Sequence, residues 1–129
     1  MTRRALIPEN LRAACAAADM SPGIQSGNHV FLTGVTGVLS DGVMPAEAEA
    51  QFHSCFDKIA SVLAEADLTL GYVVEMTSYH VGLRAHFDLF DSVRRQHLSA
   101  PFPAWTAVEV AGLRRPGAVV EIRVVAASA

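Results

Sequence analysis

The sequence predicts an α+β fold, a mixed sheet with two main helices packed on one face, and three observations carry that expectation. From Pro45 onward, Ala48, Phe52, Cys55, Phe56, Ile59, Leu63 and Ala66 recur at steps of three and four, which makes one apolar stripe of a helix. A second stripe runs over about Arg84 to Leu98, where Leu83, Phe87, Phe90, Val93 and Leu98 share one side before Pro101 and Pro103 stop the helix. Between them, Tyr72 to Val81 is rich in β-branched and aromatic residues and predicts a long strand.

The remaining elements follow in order. Pro8 to Ala18 predicts a short alanine-rich helix with proline in its first turn. Asp19 to Gly23 breaks it, and Ile24 to Thr33 predicts a hairpin whose Gly27-Asn28 turn supplies positive φ angles. Gly34 and Gly37 end the second strand, and Leu39 to Met44 is a loop. Trp105 to Val110 predicts a strand, Arg114-Arg115-Pro116-Gly117 a turn, and Val119 to Val125 the last strand.

Two long helices cover one face of a sheet of about four or five strands, not both. The strands are nonetheless expected to be apolar on both sides. Alternation puts Val74 and Met76 on one side, with Val73 and Val81 on the other. The last strand likewise opposes Val120, Ile122 and Val124 to Val119 and Val125. The bare side needs a partner, and other copies of the chain in a closed ring supply it.

Composition agrees. The 129 residues fit one domain, 1–129. They are 51% hydrophobic and 18% charged, with mean hydropathy +0.30, high for a small protomer that keeps its whole surface wet. A net charge of −3 argues against a nucleic-acid partner, which calls for a basic stripe. Cys15 and Cys55 have no metal spacing and read as reduced, buried small hydrophobes. Arg3-Arg4 precedes only Ala5-Leu6-Ile7 before Pro8, too short for a signal peptide, and no stretch reaches the roughly 20 apolar residues of a membrane span. The cytoplasm is the expected location, with no membrane partner.

Several segments, in order, resemble the Rid/YjgF family. Ser21-Pro22-Gly23-Ile24 through the Gly27-Asn28 turn to Thr33-Gly34 resembles its opening hairpin. Phe56 to Ala66 resembles its long helix, and Val73 to Tyr79 its central strand. Pro103-Ala104 through Val110, then Val120-Glu121-Ile122, resembles its signature region. The resemblance implies a homotrimer of chorismate-mutase-like subunits with clefts between them. It also implies hydrolysis of enamines or imines to carbonyl compounds and ammonia, without metal or organic cofactor. In the family an arginine grips the substrate carboxylate and a glutamate near the last strand positions water.

The glutamate is present as Glu121, the candidate catalytic residue. The arginine is not: the signature reads Pro103-Ala104-Trp105. An arginine fork matches a carboxylate, whereas tryptophan offers one N–H and an apolar face. The family's tyrosine before Ser-Pro is Met20. Trp105, Met20 and Thr33 are therefore the candidate substrate-binding residues, and the small-molecule substrate is expected to be more apolar than 2-aminoacrylate. The alternative is a non-catalytic trimer that binds a small metabolite.

The same residues have plainer explanations. Glu121 can pair with Arg123, Trp105 can fill an interface, and Thr33 can be an ordinary strand threonine. Arg114 and Arg115 read as solvated turn residues. His53 and Cys55 stand roughly 200° apart on a helix and cannot form a dyad. His80 and His86 have no zinc spacing. Asp88, Asp91, Arg94 and Arg95 read as a solvated helix face with ion-pair spacings.

Overall fold

A computed structural model describes residues 2–128. Its sheet has the strand order β1-β2-β3-β7-β5-β6, with β4 also pairing β7. The strands are β1 (Arg3–Leu6), β2 (Gly23–Ser26), β3 (His29–Leu32), β4 (Val35–Thr36), β5 (Val73–His80), β6 (Ala104–Glu109) and β7 (Val120–Ala127). The helices are α1 (Arg12–Ala18), α2 (Ala48–Ala64) and α3 (Leu83–His97). All pairings are antiparallel except β5 with β6, which α3 connects as a parallel pair.

The α+β expectation holds, and each predicted element lies within a few residues of its expected place. Two strands are additions. β1 pairs β2 at the sheet edge, Leu6 opposite Gly23. β4 pairs β7, Thr36 opposite Glu121, where a plain strand-ending turn was expected. Neither carries a periodic signal of its own: one is four residues long and the other two, and both exist because a neighbouring strand offers hydrogen bonds.

The core lies between the helices and one sheet face. α2 buries Phe52, Cys55, Phe56, Ile59, Val62 and Leu63, the expected stripe plus Val62. α3 buries Phe90 and Val93. From the sheet come Val30, Leu32, Met76, Val120, Ile122, Val124 and Ala126. The predicted alternation in β5 is corrected by a bulge between Val73 and Glu75. The extra residue puts Val73 and Met76 on the same, helix-covered side, and leaves Val74 47% exposed.

Among the described residues, neither α2 nor α3 covers the other face. The register places Phe31 beside Val125 there, with Glu75, Thr77 and Tyr79 of β5 and Glu121 and Arg123 of β7. Phe31 remains 41% exposed.

Gln51 fastens the helix layer to the loops below it. Its amide donates to the Pro45 carbonyl (2.8 Å) and the Gly117 carbonyl (3.0 Å), and its oxygen accepts from Val119 N–H (2.9 Å). Gln51 is thus fully buried with its side-chain amide saturated. Gln51→Leu keeps the volume and orphans three backbone groups. It is expected to cost about 2–4 kcal/mol, read as a lower urea midpoint; an unchanged midpoint contradicts the assignment.

Candidate functional site

Glu121 projects from β7 on the bare face, between Thr36 of β4 and Tyr79 of β5. Its carboxylate lies against the backbone at Gly34. A Cβ at that position would stand 2.5 Å from Glu121 Oε2, so a larger residue there would displace the carboxylate. Arg123 does not pair with it: Arg123 points to Glu75 at 3.9 Å. Among the described residues, the Glu121 side chain enters no hydrogen bond or salt bridge.

Thr33 precedes that glycine. Its N–H donates to the Pro22 carbonyl (2.9 Å) and its hydroxyl to the Ser21 carbonyl (2.7 Å). Both hydroxyl lone pairs stay available as acceptors. Met20 adjoins Ser21 and is 45% exposed; its N–H closes α1 by donating to Cys15 (3.1 Å) after Asp19 turns left-handed. A continuous run of contacts thus joins Met20, Ser21, Thr33, Gly34 and Glu121.

Trp105 lies elsewhere. It pairs with Met76 on the edge strand β6, two strands (roughly 10 Å) from β7, on the helix-covered side. Its ring stacks on Phe87 (centroids 5.7 Å, planes 4° apart) and packs on Phe90. The Arg94 guanidinium carbon sits 4.4 Å from the ring centre, a cation–π contact. Its N–H donates to Ser78 Oγ at 2.8 Å. Within one protomer, Trp105 and Glu121 do not share a pocket.

Arg94 corrects its assignment to a solvated face. Its side chain is only 15% exposed, doubly held by Asp91 (2.8 and 2.7 Å), and lies over Trp105 and Phe102. Phe87, Ser78 and Arg94 all contact Trp105, a role that the sequence did not assign to any of them. Phe87 and Arg94 stand seven residues apart on α3, two turns along one face, which is the signal that was available.

The cysteine and histidine candidates resolve differently. Burial pushes the Cys55 thiol up to about 12, and it donates weakly to the Val35 carbonyl (3.5 Å), so it is an inert core group. His53 turns instead to His97 (2.8 Å), whose pKa burial and His53 both lower. His80 and His86 are in contact, Nδ1 to Nε2 at 2.9 Å. With ring centres 5.1 Å apart, this contact is head-on, the shape of an N–H···N bond. Among the described residues no group of three or more His, Cys, Asp or Glu side chains converges on a metal position.

Glu109, opposite His80 on β6, accepts from Gly82 N–H (2.9 Å) and Leu83 N–H (2.7 Å). It caps α3 from a neighbouring strand, and those bonds lower its pKa. A hollow of about 440 Å³ on the outer side of α2 is lined by Leu39, Ser54, Asp57 and Lys58 among others, and by none of the four candidate site residues. Lys58 is committed there to the Thr36 and Val38 carbonyls (2.7 and 3.1 Å), and burial lowers its pKa.

The fold defines a class: α+β protomers whose mixed sheet is backed by two long helices on one face. The endoribonuclease L-PSP family model matches residues 11–128. The RutC family protein YjgH of Escherichia coli K12 is 32% identical over 125 residues, covering 96% of this chain and 94% of that protein. The solved structure of YjgH has a TM-score of 0.88 at 30% identity, covering 98% of this chain and 97% of that one. Rv2704 of Mycobacterium tuberculosis, described as a YjgF/YER057c/UK114 member, has a TM-score of 0.83 at 25% identity over 98% and 99% of the two chains. The chain belongs to the endoribonuclease L-PSP family, the Rid/YjgF proteins. Among the described residues no helix is long and apolar enough to cross a membrane.

His80 gives the fold a pH dependence. It is fully buried, and desolvation first, then His86, lowers its pKa from 6.5 to about 4. The unfolded chain therefore takes the proton first. Stability present above pH 6.5 is lost as pH falls toward about 4, by about 3 kcal/mol. Chemical denaturation across this range checks it: a flat profile contradicts it, and His80→Gln is expected to lessen the slope.

Proposed function

We propose that the protein is a cofactor-free hydrolase of enamines or imines, acting as a homotrimer on a substrate more apolar than 2-aminoacrylate. Family membership supports a deaminase-like or small-molecule-binding role. The observation that carries the finer proposal is the Glu121 carboxylate, unpaired on the bare sheet face and seated against Gly34.

In this reading Glu121 holds a water and takes its proton as the oxygen attacks the imine carbon. The C=N bond opens as that proton passes to nitrogen, giving the amino alcohol; the hydroxyl proton then follows to nitrogen through Glu121, and ammonia leaves as the carbonyl forms. Thr33 orients the substrate through its free lone pairs. Trp105 and Phe87 of one copy, on the edge of its sheet, face the Met20–Thr33–Glu121 surface of the next. This arrangement answers the separation of Trp105 from Glu121 within one protomer.

A second reading keeps the trimer and gives up the chemistry. The position of the family's carboxylate-gripping arginine holds Trp105, whose single N–H is already given to Ser78. A trimer that binds a neutral metabolite without turning it over fits that fact. The family model's description names an endoribonuclease, but a net charge of −3 offers no basic track for RNA.

Ammonia release from imines generated in situ by an amino-acid oxidase tests the proposal. The protein is expected to accelerate release from imines with apolar or aromatic side chains. Glu121→Gln is expected to lower kcat by about 10²-fold or more while ligand still binds. Gly34→Ala, which displaces the carboxylate, is expected to lower kcat in the same direction. No ammonia from any imine, with binding intact, favours the second reading.

A further inference from the structure

The indole N–H of Trp105 heads a hydrogen-bonded chain that runs from the β6 edge to α3. It donates to Ser78 Oγ (2.8 Å); Ser78 Oγ meets His80 Nε2 (2.8 Å); His80 Nδ1 meets His86 Nε2 (2.9 Å). Ser78 and His80 are fully buried, and His86 is partly exposed. Such a chain of polar groups inside an apolar layer is costly unless every member is satisfied.

The donor inventory fixes its direction. An indole N–H only donates, so Ser78 Oγ accepts from it. The serine proton then has one partner in line, His80 Nε2, which must accept. His80 therefore carries its proton on Nδ1 and donates it to His86 Nε2. Every group has one role, and the solvent-side end of the chain is His86.

We propose that Ser78, His80 and His86 are positioning residues for Trp105: they hold its indole edge in place as a cleft wall, and one proton taken up at His86 reverses the chain and loosens that hold. A proton on His86 Nε2 meets the N–H already on His80 Nδ1. The conflict resolves when His80 shifts its own proton to Nε2. That nitrogen then donates to Ser78, whose hydroxyl proton loses its buried acceptor. Protons balance: one enters at His86, and the others change sides. Glu109 on β6 is the charged group beside the pair and favours the protonated state. The faces packed on His80 and His86 from α2 and α3 are Phe52 and Phe90, which carry no charge.

The inference that Trp105 lines a cleft rests on the proposed function; its anchoring does not. Trp105 is the sole tryptophan, so intrinsic fluorescence reports the chain without substrate. In the full-length protein the emission is expected to change through one transition below about pH 6.5, because burial lowers the His86 pKa, with far-UV circular dichroism unchanged. His86→Gln, at the partly exposed end of the chain, is expected to abolish the transition, as is Ser78→Ala. His53→Gln, in the other histidine pair, is expected to keep it. A flat wild-type profile, or a transition surviving both His86→Gln and Ser78→Ala, overturns the proposal. In the ammonia assay, Ser78→Ala is expected to raise KM roughly three- to tenfold, the range of one neutral hydrogen bond, with kcat little changed. A silent ammonia assay beside a normal fluorescence transition removes the hydrolase and leaves the anchor standing.

Discussion

The whole structure depends on a one-sided cover. α2 and α3 seal one face of the sheet with Phe52, Phe56, Ile59 and Phe90, and among the described residues neither reaches the other, where Phe31 stays 41% exposed. Phe31, Val125 and the carboxylate of Glu121 therefore share a surface that water alone covers in a single copy. Burying apolar area stabilises by about 25 cal/mol per Å², so such a face gains by meeting another copy. The self-association and the cleft proposed above both rest on this imbalance.

That imbalance also divides the candidate site. Met20, Thr33 and Glu121 are linked through Ser21 and Gly34, while Trp105 belongs to the helix side of the opposite edge strand. An edge strand can face outward from one copy toward the sheet of the next. In the proposed cleft the wall would be an indole, and the structure shows that indole locked by Phe87, Arg94 and Ser78.

Most of the fold was legible because it is written in local periodicity. The α2 stripe, the Gly27-Asn28 hairpin and the long β5 strand each stand in a few consecutive residues. What was not legible is non-local. β1 and β4 exist only because β2 and β7 pair with them. The β5 bulge breaks the alternation that assigned Val73 and Met76 to opposite faces. Arg94 looked solvated because its spacing to Asp91 is real, yet the same guanidinium also covers an indole from a strand that sequence cannot place beside it. Glu109 caps a helix that begins 26 residues earlier in the chain. For the site, the resemblance pointed to Glu121 and Trp105, but no spacing reveals that they face opposite sides of one sheet.

The claim on which the rest turns is that the bare face of the sheet is covered by other copies of this chain. Sedimentation velocity at micromolar concentration measures it directly. The account predicts one species near three times the 13.7 kDa protomer mass. A single, stable species at the protomer mass contradicts it, because the Glu121 surface then has nothing to close against.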